Sequence, residues 1–328
     1  MNAKHANRLY LIILIVSIAI NVLLSVFIAY SGVRFDFLSS NFIMEMAIVI
    51  PSVIYVIAMK DSLSDLIPFK KIHIGTFLLV PLFVLCSYPL VMVLNAFTMI
   101  FVDNAVATSL GMVTDVPFII TLFSIGIFAP FCEEIVCRGI LFHSYRRTGR
   151  ILESALMSAI LFGLMHMNFN QAAYAFALGL LFAFLVEITG SVFTTFWAHC
   201  FFNSLEVCLM YAMQNLTNSF IGNSAFEQGM QSASQGGLIM LGTVFAIFPL
   251  ALVTTIGAVA ILYVISCIEG TSDKFKSLFK LTKFNGYHQE NGVIIPEAVP
   301  EDKKIVTPEF IIAMIVAVGF MLISEIFF

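Results

Sequence analysis

Two adjacent acidic residues and an arginine lie in the middle of a strongly apolar stretch. Glu133, Glu134 and Arg138 belong to the run CEEIVCR. Glu134 precedes Arg138 by four residues, which is the favourable order for an ion pair on one helix face. At 3.6 residues per turn, Glu133 points about 140° away from Arg138. Arg138 can therefore neutralise Glu134 and leave Glu133 free to act as a general base towards water.

Two histidines and an asparagine lie at a similar depth in later apolar stretches. His166 ends the run FGLMH, and His199 and Asn203 are four residues apart in the run HCFFN. With a rise of 1.5 Å per residue, Glu133 and Asn203 lie roughly 20 Å, and His166 roughly 24 Å, from the nearest turn that borders the membrane. These four side chains can meet in one layer. They would supply a base for water and donors for the oxyanion that forms during amide hydrolysis.

The composition shows what kind of scaffold must position these groups. The chain has 328 residues, of which 60% are apolar and only 11% are charged, and its mean hydropathy is +1.00. Soluble domains carry roughly 25% charged residues, so a soluble enzyme is excluded. The net charge of −4 gives no indication of nucleic-acid binding. Six cysteines lie in apolar stretches, and their spacing is not that of a metal site or a disulfide framework. We therefore interpret them as small buried apolar residues.

The apolar stretches predict an all-α, multi-pass integral membrane protein with about nine transmembrane helices (eight to nine). A bilayer core needs roughly 20 apolar helical residues to be crossed. Two of the stretches are short and are joined by only three residues. The predicted spans are Leu9–Tyr30, Phe42–Met59, Thr76–Val102, Val116–Phe142, Leu152–Met167, Gln171–Glu187, Val192–Met213, Leu238–Cys267 and Glu309–Phe327.

The distribution of Lys and Arg predicts the orientation. Basic residues favour the cytoplasmic side. If the N-terminus is cytoplasmic and nine spans alternate, 14 of the 16 basic residues fall on that side. Arg34 then lies outside and Arg138 lies within the membrane. We therefore expect a cytoplasmic N-terminus and an external C-terminus.

Three regions follow from these spans. Residues 1–115 hold the N-terminal helices, and residues 116–213 hold the helical core with all the candidate site residues. Residues 214–328 hold an outer loop, a helix, a cytoplasmic amphipathic and linker segment, and the final helix. Glu45, Glu187 and Glu325 lie near span ends and are interpreted as interfacial. Glu206 continues the face of His199 and Asn203, so a role in supporting the site stays open, and a helix–helix contact is the preferred interpretation.

The three motifs EExxxR, FxxxH and HxxxN, in this order on apolar segments, resemble those of the CPBP family. This family contains the CAAX prenyl endopeptidases of the Rce1 type, bacterial intramembrane proteases and bacteriocin-immunity relatives. The similarity runs from about Phe128 to Asn203. It implies an intramembrane glutamate endopeptidase whose cavity opens toward the cytoplasm and whose substrate is a membrane-associated peptide or protein. A multi-pass protein of a bacterial plasma membrane is the corresponding expectation.

The resemblance also assigns roles to individual residues. It makes Glu133 the acid or base that activates water, and His166 its partner in orienting that water or protonating the leaving amine. His199 and Asn203 become the oxyanion-stabilising pair. Glu134 and Arg138 become the structural pair that supports the site.

Alternative functions remain open from the sequence. Glu133, His166 and His199 could bind Zn²⁺, since a His₂Glu set with an open position is a known catalytic zinc site. The resemblance favours the version without a metal or other cofactor. A non-catalytic membrane partner that binds a receptor or sensor kinase would use the same polar cluster for assembly. A transporter is disfavoured because the sequence has no inverted repeat.

Overall fold

The fold is a bundle of long helices that run back and forth between two ends. The computed structural model describes residues 1–33, 36–104, 116–220, 237–280, 287–290, 293–296 and 304–327. Within these residues, the helices are α1 (Ala3–Ser31), α2 (Phe37–Ala58), α3 (Leu63–Leu66), α4 (Ile74–Thr98), α5 (Phe118–Arg146), α6 (Ile151–Met165), α7 (Phe169–Thr189), α8 (Val192–Phe220), α9 (Gly237–Ile268), α10 (Ser272–Ser277) and α11 (Pro308–Phe327).

The prediction of an all-helical multi-pass membrane protein is confirmed. Among the described residues, seven helices are long and apolar enough to cross a membrane. The two other long helices at predicted positions are α6, which has 15 residues, and α8, which includes His199, Asn203 and Glu206. Many large apolar side chains face outwards, such as Leu238, Phe245 and Ile315, as expected for a surface in contact with lipid.

One feature lies outside the helical prediction. In the segment interpreted as a linker, strands β1 (Tyr287–Glu290) and β2 (Val293–Pro296) pair antiparallel, with Tyr287 opposite Pro296. The amphipathic segment before the linker contains the short helix α10.

Two apolar cores hold the bundle together. One is formed mainly by residues of α1, α2, α5, α6 and α11, and the other mainly by residues of α4, α7, α8 and α9. Helix α5 contributes Phe142 to the second core and Val136, Ile140 and Tyr145 to the first. The helix that carries the acidic pair is therefore fixed by both halves of the bundle.

Polar and charged contacts tie the helix ends together at the end of the bundle that is rich in Lys and Arg. Arg146 donates to both carboxylate oxygens of Glu187 over 2.6 and 3.0 Å, and Arg147 binds Asp61 over 2.6 and 3.0 Å. Arg8 pairs with Glu309 over 3.1 Å. Glu187, interpreted from the sequence as interfacial, is thus a buried partner of Arg146.

Glu269 lies at this same end, just after α9. Partial burial acts to raise the pKa of its carboxyl, but hydrogen bonds outweigh that effect and the pKa is lowered. The donors are the hydroxyl of Thr76, over 2.5 Å, and the backbone N–H of His73, over 3.0 Å. The charged form of Glu269 therefore links α9 to the beginning of α4.

Candidate active site

The acidic pair lies in an unusual section of α5. Residues Ala129–Glu134 are α-helical, whereas Leu122–Phe128 before them and Ile135–Leu141 after them are π-helical. π-helical turns occur mostly as short interruptions of α-helices and frequently at functional sites. Glu133 and Glu134 thus end a short α-helical section between two wider turns.

Glu134 and Arg138 form the ion pair that their spacing predicts. Arg138 Nη1 lies 2.9 Å from Glu134 Oε1, and both side chains are 0% exposed. The guanidinium carbon also lies 4.0 Å from the ring centroid of Phe162 and 5.5 Å from that of Phe182. Two aromatic faces and one carboxylate therefore stabilise this buried cation.

His199 lies between the two acids. Its Nδ1 is 3.0 Å from Glu134 Oε1, and its Nε2 is 3.7 Å from Glu133 Oε2. Since a carboxylate only accepts hydrogen bonds, Nδ1 carries the proton that is donated to Glu134. Nε2 is the ring nitrogen that faces Glu133. Glu134 thereby fixes the orientation of His199 and the position of its Nδ1 proton.

His166 and Asn203 are each fixed by a backbone carbonyl. His166 Nδ1 donates to the oxygen of Phe162 over 2.9 Å, which leaves Nε2 as the second ring nitrogen for other contacts. Asn203 Nδ2 donates to the oxygen of Ile125 over 3.0 Å. Ile125 belongs to the first π-helical stretch, so this bond connects α8 to α5.

All four residues expected to be catalytic line one cavity of about 740 Å³. Glu133, His166, His199 and Asn203 come to this cavity from three helices, α5, α6 (at its end) and α8. Glu133 Oε2 has no hydrogen-bond partner among the described residues. The cavity has ample space for a peptide segment beside the polar groups.

The cavity also contains polar residues that were not assigned to it from the sequence. Glu45 lines it and is 7% exposed, so its interpretation as an interfacial residue is wrong. Glu206, expected to make a helix–helix contact, lines it together with Tyr88 and Tyr174. Glu45 lies on α2, and Tyr88 on α4, far from the motifs in sequence. The one available signal was that Glu45 is an acidic residue inside a predicted span.

The position of the cavity along the bundle bears on the expectation that it opens toward the cytoplasm. Its lining comes from the C-terminal part of α4, the middle of α8 and the N-terminal parts of α2, α7 and α9, and it extends to Phe37 and Asn104. All of these parts lie away from the basic end. If the basic end is cytoplasmic, as its charge predicts, these lining residues lie in the outer half of the bundle. The opening of the cavity toward the cytoplasm stays a prediction.

The zinc alternative was tested against the side-chain arrangement. Within the described residues, no group of three or more His, Cys, Asp or Glu side chains lies close enough together to hold a metal ion. Glu133 and His199 approach each other, but His166 does not join them in a metal-binding group. The arrangement therefore does not fit a His₂Glu zinc site.

Comparison with known sequences agrees with the motifs. Residues 115–205 match the family described as Type II CAAX prenyl endopeptidase Rce1-like. The match confirms the resemblance to the CPBP family for this segment, which contains all six predicted site residues. The chain is also 29% identical over 100 residues to the protein named "Putative membrane peptidase YdiL" of Bacillus subtilis (strain 168). That similarity covers 30% of this chain and 40% of the relative. No solved structure matches the chain.

Proposed function

We propose that this protein is an intramembrane endopeptidase that hydrolyses a peptide bond with a water molecule activated by Glu133. The supporting observation is the contact between Glu133 and His199 across 3.7 Å at the wall of a cavity of about 740 Å³. This separation is longer than a direct hydrogen bond and allows one water to bridge the two side chains. The Rce1-like match over this segment supports the same class of reaction.

The proposed reaction begins with proton transfer from water to Glu133. The resulting hydroxide attacks the carbonyl carbon of the substrate, and the carbonyl oxygen becomes an oxyanion. His199, with a hydrogen on Nε2 as well as on Nδ1, and the remaining amide hydrogen of Asn203 stabilise that charge. Collapse of the intermediate breaks the C–N bond, and the leaving amine takes a proton from Glu133 or His166.

Glu134 and Arg138 have a supporting role in this proposal. Glu134 accepts a hydrogen bond from His199 Nδ1 and is neutralised by Arg138. Since Arg138 is engaged with Glu134, it does not hold Glu133 as an ion pair. Glu133 therefore keeps its capacity to exchange protons with water.

The substrate class we propose is a membrane-associated peptide or protein segment, such as a leader, a peptide precursor or a lipid-anchored tail. The proposed location of the protein itself is a cell membrane, consistent with the multi-pass fold. No residue in the proposed steps needs a metal, so a chelator should leave cleavage unchanged.

The test is to incubate purified protein with a library of membrane peptides and to identify cut sites by mass spectrometry. Glu133→Gln should abolish every cut that the wild-type protein makes, because an amide cannot take a proton from water. Glu325→Gln, at an exposed position on α11, is the matched control and should cut normally. Cleavage by Glu133→Gln at the wild-type rate would contradict the proposal and favour the non-catalytic membrane partner.

A further inference from the structure

The wall of the cavity carries acidic side chains without a Lys or Arg partner among the described lining residues. Three of the described lining residues are glutamates (Glu45, Glu133 and Glu206), and none of the described lining residues is Lys or Arg. Charged side chains within a membrane protein are normally paired or hydrated, because an isolated charge in a low-dielectric region is costly. This wall is therefore complementary to a positively charged group.

Glu45 gives an independent indication of such a group. This residue is only 7% exposed, and it lines the cavity from α2. Its Oε2 atom has no hydrogen-bond partner among the described residues. Glu45 also interacts electrostatically with Glu133. Two carboxylates that repel each other in one cavity are stabilised when a cation lies near both.

Glu206 lies among groups that suit a long cationic side chain. Tyr88 and Tyr174 line the same cavity as Glu206, and both interact electrostatically with it. Tyrosine rings bind ammonium and guanidinium groups through their faces. Glu206 is three residues after Asn203, hence roughly 4.5 Å further along α8. An extended peptide covers a similar distance in one to two residues.

We propose that the cavity selects substrates with a lysine or arginine side chain close to the cleaved bond, and that Glu45 and Glu206 bind that cation. This inference rests on the proposed function and adds the chemical class of its substrate. It makes Glu45 and Glu206 specificity-determining residues, whereas Glu133 remains the residue that acts on water.

The test uses pairs of peptides that differ only by Lys or norleucine at one position near the cleaved bond. Both peptides of a pair compete in one reaction, so that the ratio of their cleavage rates does not depend on the amount of folded enzyme. Because a hydrogen bond to a charged group contributes about 1.5–3 kcal/mol, we expect a preference for Lys of about tenfold to a hundredfold at one position. Glu206→Gln and Glu45→Gln should each reduce this ratio by about tenfold or more.

Two further variants make the test specific. Glu206→Lys should reverse the preference and favour a peptide with Glu at the same position, because the new ammonium repels Lys. Glu325→Gln removes an acid outside the cavity and should keep the wild-type ratio. Equal reductions for the cavity and control variants would overturn the inference.

Binding to the wild-type protein provides a second readout that does not need cleavage. Fluorescently labelled Lys peptides should bind more tightly than norleucine peptides, and added salt should weaken only the former. Equal binding or equal cleavage of the two peptides would overturn the inference while leaving the proposed endopeptidase intact. If neither peptide is cut but the Lys peptide binds more tightly, the endopeptidase proposal fails and the cationic ligand stands.

Discussion

Glu134 and Arg138 form an ion pair over 2.9 Å in which neither side chain is exposed. Breaking a buried pair by removing one charge leaves the other without compensation. We expect Glu134→Gln to lower the free energy of unfolding by about 3–5 kcal/mol. Denaturant unfolding in detergent would measure this change. Glu133→Gln is the matched variant and should change the stability by less than about 1 kcal/mol, since Glu133 does not pair with Arg138. Similar losses for both variants would contradict the separation of their roles.

Gly163 lies where α6 and α7 approach each other closely. A Cβ atom at this position would lie 2.7 Å from the backbone oxygen of Ala172, so the two helices would have to move apart. Gly163→Ala should therefore lower stability by about 1–3 kcal/mol and reduce cleavage, because His166 follows on the same helix. Gly319→Ala is the control, since a Cβ there has nothing within 4 Å. Unchanged unfolding and cleavage in Gly163→Ala would show that this contact does not position the site.

The side of the membrane that the cavity faces can be determined with single cysteines. Asp103 lies near the cavity end of the bundle and Asp65 near the basic end, and both side chains are exposed. In a chain whose native cysteines are replaced by alanine, Asp103→Cys should react with a membrane-impermeant maleimide on intact cells. Asp65→Cys should react only after the membrane is opened. The reverse pattern would place the cavity in the cytoplasmic half.

The lowered pKa of Glu269 predicts that the folded protein loses stability at low pH. Its pKa is lowered in the folded protein by hydrogen bonds from Thr76 and His73, which outweigh the opposing effect of burial. A lowered folded-state pKa stabilises the protein fully above the unfolded pKa of about 4.5, and this contribution disappears as the pH falls through the folded value. Unfolding measured at neutral pH and at about pH 3 should show a smaller acid effect for Glu269→Gln than for wild type. Identical pH dependence would exclude this linkage.

Some features of the site follow from the sequence because they depend on local helix geometry. The pairing of Glu134 with Arg138 needs only a spacing of four residues on one helix. The shared depth of His166 and Asn203 with Glu133 follows from the rise per residue, and all three line the same cavity. The helices α1, α2 and α4 follow from runs of apolar residues long enough to cross a bilayer.

Other features depend on packing between distant parts of the chain, which spacing does not report. Glu45 reaches the cavity because α2 packs beside α5, and its position near a span end suggested an interface instead. The bond from His199 to Glu134 needs the relative rotation of α5 and α8. The location of the cavity away from the basic end depends on where the helices separate, which hydropathy does not indicate.

The two π-helical stretches on either side of Ala129–Glu134 set the angular position of the acidic pair relative to the rest of α5. Each residue of an α-helix turns the chain by about 100°. A π-helical turn contains more residues than an α-helical turn, so winding the same residues of either stretch as a regular α-helix would rotate one flank of α5 relative to the carboxyls. The direction in which Glu133 and Glu134 face thus depends on the π-helical stretches. A related protein without these stretches would need a different helix geometry to direct its acids towards the cavity.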